Sequence, residues 1–405
     1  MSVSPSSVPD TGPLRAHSTS ERPAGPVDRA HRLGPLIAAN AEVLERLQRL
    51  PPPLAEALHE SRLLRLLLPR SLGGEQTPPG DYFRAIEALG RYDGSVAWNA
   101  FVANSAALIA PFMAEPAARA IFSDPKAVVA WGPPNRNRAY VVPGGYRLSG
   151  TWGFASGCRL ATWMGAHCVV KEPDGSTRLG PLGTPAVVSF LFPASEATIH
   201  DDWGPTGLRG TGSCSYTLER VFVPDGYTGT REAPEAHRDR DPLYAFPQQA
   251  LYAVGVAGVA QGIAGAMLDA FRALAAEKSP RGVGRLADQA LVRHQVALAV
   301  AKLGAARAWL LDIVDEVYER APPEGAIGLE DRARVRLGCS YAIQMAVEVG
   351  DTVHRAAGVS AIFPDSEFER RFRDLHTLSQ QIQSRLAHFE STGAVLLGHV
   401  PEVFY

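Results

Sequence analysis

Apolar residues recur at helical spacing through the first quarter of the chain. Leu44, Leu47, Leu54, Leu58, Leu63, Leu66 and Leu67 flank a Pro51-Pro52-Pro53 break, and residues 82–89 resume the rhythm after Gly73-Gly74. Asp93-Gly94-Ser95 then offers a turn and an N-cap for an apolar helix through Trp98, Phe101, Val102 and Leu108. These spacings predict an all-helical first domain. Near Lys126 the rhythm changes to short β-rich runs at 140–142, 146–149, 166–171, 186–192 and 215–223, separated by Pro143-Gly144-Gly145, Pro173-Asp174-Gly175 and Pro224-Asp225-Gly226. Strands this short and this closely spaced predict a small β-barrel or sandwich. After a charged stretch at 231–241, strand signals vanish. Long helical patterns at 251–276, 287–318, 329–356 and 368–397 are enough for a four-helix bundle.

Size agrees with this division, since 405 residues with 46% hydrophobic content exceed the usual span of a single core. The expected organisation is α+β and multidomain: a loose tail over 1–25, a helical domain over 26–125, a β domain over 126–232 and a helical bundle over 233–405. The tail is rich in Ser, Pro, Arg and Ala without a continuous apolar stretch, unlike a secretory signal. The most apolar helical stretch, 253–268, carries glycines and Gln261 within it and is followed by Asp269, which suits a buried helix better than a membrane span.

Charge narrows the partners. Forty Lys and Arg against 42 Asp and Glu leave a formal net charge of -2, with no basic cluster for nucleic acid or an anionic membrane. Cys158, Cys168, Cys214 and Cys339 have no CxxC spacing, so they read as separate thiols in a reducing, cytoplasmic setting, and no metal site is expected. No Walker loop, GxGxxG turn or HExxH motif is present, so the chain has no evident NAD(P)H site of its own.

Five motifs, in this order and spacing, resemble the acyl-CoA dehydrogenase superfamily from about Leu36 onward. They are Leu68-Pro69-Arg70-Ser71-Leu72-Gly73-Gly74, Asp93-Gly94-Ser95-Val96-Ala97-Trp98, Gly145-Tyr146-Arg147-Leu148-Ser149-Gly150, Gly207-Leu208-Arg209-Gly210-Thr211-Gly212-Ser213 and Phe222-Val223-Pro224. Within that superfamily, Trp152-Gly153-Phe154-Ala155-Ser156-Gly157-Cys158 and Arg373-Asp374-Leu375-His376-Thr377 resemble the two-component flavin-dependent monooxygenases, the group D hydroxylases. The resemblance implies a helical, β-barrel and four-helix-bundle layout and a homo-oligomer, usually a tetramer. It also implies reduced FAD or FMN supplied by a separate flavin reductase.

Such chemistry needs a flat apolar wall against the flavin ring, a donor near N5 and a dry cavity. Phe154 and Ser156 lie two apart on a predicted strand, which would point both side chains to one face. From the residues alone, Ser156 is either a strand hydroxyl satisfied by backbone or such an N5 partner; the resemblance implies the second, with Phe154 beside the ring. Acyl-CoA dehydrogenases also need a carboxylate base to remove a proton alpha to a thioester. Counting by the resemblance, the two positions used for it fall at Ile382 and near Tyr252, and neither is a carboxylate.

The monooxygenase branch places a catalytic His where this chain has Gln381, which can hydrogen-bond but cannot exchange a proton near neutral pH. His376, five residues earlier, is the nearest titratable side chain, and a continuous helix would turn it away from Gln381. It is either a catalytic group or a structural one at the pocket edge. Asn99 and Asn104, polar amides on an apolar helix, either contact substrate or bridge helices. By resemblance, Trp131 and Gly132 lie on the loop that passes the flavin. Arg281, with Arg285 as a competitor, and Gln295 match positions at the adenosine diphosphate end. Gly358 lies in Ala356-Ala357-Gly358-Val359-Ser360, where relatives carry paired glycines. The function implied is hydroxylation or N-oxidation of a small organic, aromatic or biosynthetic substrate. The alternatives are a flavin dehydrogenase or desaturase, and a non-catalytic flavin-binding relative.

Overall fold

The computed structural model describes residues 24–400 except 181–182, 231–236 and 283; most of the expected tail lies outside the described residues. Six α-helices come first: α1 Pro26–Ala39, α2 Ala41–Leu47, α3 Pro52–Glu60, α4 Pro79–Tyr92, α5 Gly94–Ala107 and α6 Glu115–Phe122. Proline in the first turn starts α1, α3, α4 and α6, where a missing N–H leaves no intrahelical bond unmade. Asp93 starts α5, its carboxylate accepting from Ser95 N at 2.9 Å and Val96 N at 3.1 Å.

The strands are β1 Val129–Trp131, β2 Arg138–Val142, β3 Gly145–Trp152, β4 Trp163–Lys171, β5 Val187–Pro193, β6 Thr198–Ile199, β7 Tyr216–Pro224 and β8 Thr228–Thr230. They form one sheet in the order β6-β7-β3-β2-β4-β5-β8, with β1 added parallel to β4. Among the described residues β6 and β8 remain its two ends, so the expected barrel is an open sheet here. Its core is aromatic and sulfur-rich: Trp152 and Tyr216 stack with centroids 5.5 Å apart, beside Met164, Phe190 and Phe192.

Five more helices follow: α7 Gln248–Glu277, α8 Ala290–Arg320, α9 Leu329–Ala357, α10 Glu367–Ser379 and α11 Ala387–Leu396. The single pattern read over 368–397 is in fact two helices joined by a short 3-10 turn at Ile382–Ser384. Periodicity could not reveal the break, because apolar residues continue on both sides of it. Gln381 therefore lies beyond the helix that carries His376, and the expected rotation between them does not apply.

Two stretches, Gly94–Phe112 and Gln248–Glu277, are long and apolar enough to cross a membrane, yet 89% of the apolar 18-residue window in each is buried inside this protein. Helix α7 is the central strut, packed on α4, α5 and α9. It approaches α4 closely because Gly262 faces Glu87 and Gly90; a Cβ on Gly262 would collide with the Glu87 carbonyl. The packing of α5 between α7, β1 and the Gly207–Ser213 segment is what brings the three regions to one place.

Candidate active site

Three of the sequence motifs meet in a buried knot. Asp374, from Arg373-Asp374, accepts from Leu208 N at 2.5 Å, and Gly94 packs so closely that a Cβ there would sit 3.0 Å from Asp374 Oδ2. Ser95 Oγ accepts from Gly210 N at 3.1 Å, and a Cβ on Gly207 would collide with the Arg373 carbonyl. Arg373 adds bonds to Glu369 and Glu45 and to the Thr206 carbonyl, while Arg370 lies 3.7 Å from Asp93. Burial pushes the Asp374 carboxyl well above the usual carboxylate range, and the neighbouring Asp93 charge pushes it the same way. The motifs most useful for recognising the fold thus join its regions.

The cleft lies beside this knot. Its walls are Val102 and Ala106 from α5, Ala130 and Trp131 from β1, Phe154 and Ser156 after β3, and Tyr252 from α7. Sequence analysis brought Phe154 and Ser156 together on a strand. The structure brings them together differently: β3 ends at Trp152, and Phe154 takes a left-handed conformation with φ 57°. A bulky residue is strained there by roughly 1–2 kcal/mol. The turn leaves the Phe154 ring 70% exposed at the mouth of the cleft, edge-on to Trp203. The enclosed volume is about 30 Å³, room for water only. The Ser156 hydroxyl and the apolar walls fit a flavin's ring.

Ser156 is not a backbone-satisfied hydroxyl. Trp98 Nε1 donates to its Oγ at 3.0 Å, and its Oγ is 2.6 Å from Ser213 Oγ. Ser213 is 2.7 Å from Thr211 Oγ1, which donates to Leu208 O at 2.8 Å. Trp98, Thr211 and Ser213 were visible only as letters of fold motifs; nothing in their spacing reveals the bonds.

Other expected site residues lie elsewhere. Asn104 is fully buried, donating to Leu63 O at 2.7 Å and Ala100 O at 2.8 Å and accepting from Leu67 N at 3.1 Å, so it fastens backbone and is not available to substrate. Asn99 donates to Ser95 O and Gly210 O and lines a separate cavity of about 510 Å³, whose other walls include Arg49, His59, Lys126, Arg159 and Thr211. His376 does not line the cleft; its Nε2 is 2.8 Å from Asp351 Oδ1 and its ring packs on Phe372. Gln381 caps the 3-10 turn, its Oε1 accepting from Gln383 N at 2.6 Å, and is likewise outside the cleft. Gly132 is required by a close backbone crossing, since a Cβ would collide with the Gly153 carbonyl, while Trp131 packs on His167.

The nucleotide-end candidates share one end of the bundle. Arg281 is exposed in the turn after α7, Arg285 pairs with Asp288 at 3.0 Å, and Gln295 is half-buried on α8. Gly358 ends α9 at φ 59°, a conformation that favours glycine. Lys278, overlooked in the sequence, donates to Ala357 O at 2.7 Å and Ser360 Oγ at 2.8 Å, tying the two turns together. None of these residues lines the Ser156 cleft.

Comparison with known proteins agrees with this architecture. Residues 254–385 match the family described as Acyl-CoA dehydrogenase, C-terminal domain. Indole-3-acetate monooxygenase of Pseudomonas putida is 26% identical over 389 residues, covering 96% of this chain and 97% of that one. Flavin-dependent monooxygenase, oxygenase subunit HsaA, of Rhodococcus jostii is 26% identical, covering 86% of this chain and 92% of its own. Among solved structures, XiaF from Streptomyces sp. in complex with FADH2 and glycerol superposes with a TM-score of 0.84 at 25% identity, covering 94% and 96% of the two chains.

Proposed function

We propose that this chain, acyl-CoA dehydrogenase-like in fold and similar along nearly its whole length to oxygenase components, is itself the oxygenase component of a two-component flavin-dependent monooxygenase. It takes reduced FAD or FMN from a separate reductase and, with O2, hydroxylates or N-oxidises a small organic substrate. When bound, the reduced flavin supplies the electrons and the oxygen activation. The chain's own residues supply the setting: Phe154, Trp131, Val102 and Ala106 make dry walls, and Ser156 offers its oxygen to N5. Arg281, Gln295 and Gly358 would hold the adenosine diphosphate end of a flavin shared with a neighbouring subunit. Exposed Leu291, Leu298 and Trp309 on α8 support such a homo-oligomer.

The observation that carries this reading is a cleft with one polarised hydroxyl and no carboxylate among its described walls. The dehydrogenase alternative needs a base there. Tyr252 offers only a phenol, a poor base at neutral pH, Ile382 is apolar, and His376 bonds Asp351 outside the cleft. The deciding experiment mixes the protein with reduced flavin and O2 in a stopped-flow instrument. A transient absorbance distinct from both oxidised and reduced flavin is expected, with one atom of labelled O2 in the product of an accepted aromatic substrate. Direct reoxidation without a transient, or anaerobic bleaching of oxidised flavin by substrate, would overturn it.

A further inference from the structure

The cavity of about 510 Å³ adjoins the turn that carries Ser156, yet it shares no lining residue with the flavin cleft: Ser156 lines the cleft and Gly157 the cavity. Its volume falls within the roughly 300–1,000 Å³ of small-molecule sites. Asn99 forms its buried end, with 2% of the residue exposed. Both amide hydrogens of Asn99 are taken, by Ser95 O at 2.9 Å and Gly210 O at 3.1 Å. Two carbonyls can only accept, so the amide cannot turn over and Oδ1 is fixed as an acceptor. Among the described residues no hydrogen-bond donor reaches that oxygen. Gly157 lies over it at φ 76°, and a Cβ there would stand 3.3 Å from Oδ1. The glycine thus leaves uncovered a buried acceptor that calls for a donor.

The mouth of the cavity is cationic. Arg49, Lys126 and Arg159 line it against one carboxylate, Glu56. Glu56 pairs with Lys126 at 2.7 Å and Arg159 with Asp201 at 2.5 Å, which leaves Arg49 without a carboxylate among the described residues. Burial pushes the half-buried His59 below its ordinary range, so it adds no charge to the wall at neutral pH. Leu47, Leu50 and Leu160 supply apolar surface.

We propose that this cavity is a second small-molecule site, for an organic acid that donates a hydrogen bond to Asn99 Oδ1, lays its apolar body along the leucines and sets its anionic group at Arg49. A planar guanidinium meets a carboxylate with two parallel bonds, which suits Arg49 to that group. The site is independent of the flavin reading, because none of its walls belongs to the cleft.

The test uses the full-length protein without added flavin and 6-hydroxy-2-naphthoate, a rigid fluorescent acid with a phenol at the end away from its carboxylate. Fluorescence anisotropy and calorimetry should show saturable binding of one molecule per chain. 2-Naphthoate, which lacks the phenol, and the methyl ester of the probe, which lacks the charge, should each bind about fivefold weaker. Arg49→Gln should weaken the acid about fivefold and leave the ester unchanged, so that the two become equal. Ala55→Trp, which fills the cavity from α3, should abolish binding of all three compounds. Should Ala55→Trp fail to fold, Arg49→Gln with acid and ester decides alone. Phe154→Gly, altered in the cleft, should bind the acid as the unmodified protein does. Absence of saturable binding would overturn the proposal, as would equal affinity of the unmodified protein for the probe and either of its analogues. Binding lost in Phe154→Gly and kept in Ala55→Trp would put the probe in the flavin cleft and overturn it too.

Discussion

The Asp374 knot and the Ser156 cleft lie side by side and share Leu208, yet they are built on opposite principles. In the knot polar groups from separate regions are bonded to one another, glycines let backbones touch, and the sequence is rich in recognisable motifs. In the cleft a strained Phe154 exposes its ring, the Ser156 hydroxyl lies among apolar walls, and the walls come from four separate elements. The difference teaches that the residues which identify this fold hold it together, and that the chemistry is placed on what they hold. Substitutions should therefore separate cleanly into those that lower stability and those that alter flavin binding.

The largest expected effect is Gly207→Ala. Its methyl group would force apart the Gly207 and Arg373 backbones, costing about 3 kcal/mol, read as a fall in Tm by thermal denaturation. Flavin affinity of the folded fraction should survive; a loss of affinity at full stability would break the comparison. Asn104→Ala comes next, at about 2 kcal/mol, because three backbone groups lose their buried partner.

Asp374 sharpens the comparison through pH. Its folded pKa is raised above the unfolded value near 4, so the neutral form is the one the fold favours. The protein should then be most stable at the acid end of that interval and lose stability as pH rises through it toward the folded pKa. Asp374→Asn, which keeps an acceptor for Leu208 N, should flatten the dependence of Tm on pH. An unchanged slope would show that the carboxyl is not held neutral.

Effects in the cleft should be smaller in stability and visible in flavin. Ser156→Ala should weaken reduced flavin about tenfold with Tm nearly unchanged, measured by anaerobic titration. Phe154→Gly is the smallest in stability: it relieves the left-handed strain, so Tm should hold or rise slightly while flavin affinity falls through loss of the apolar wall. A Phe154→Gly protein that loses stability would mean that the exposed ring supports the fold.

Much of the fold was legible because burial imposes period. The alternation over 216–224 and the leucine spacing of the first helices follow from one face meeting a core, and the structure places elements there. The break at 380–386 was not legible, because the 3-10 turn is set by Gln381 capping and by Gln383 and Ser384 bonding to distant Gln249 and Gln344. Asn104 gave an ambiguous signal for the same reason: a polar residue on an apolar helix must find partners, and only the fold shows that they are backbone.

By itself the sequence determined the order of helical, sheet and helical regions, the family resemblance and Ser156 as a residue to watch, since periodicity and contiguous motifs are local properties. Only the tertiary structure decided that Phe154 and Ser156 meet through a left-handed turn, that His376 and Gln381 bond Asp351 and Gln383, and that Trp98 and Ser213 bond the Ser156 hydroxyl. The two partners of Ser156, Trp98 and Ser213, are 115 positions apart in the sequence and become neighbours only when the regions pack.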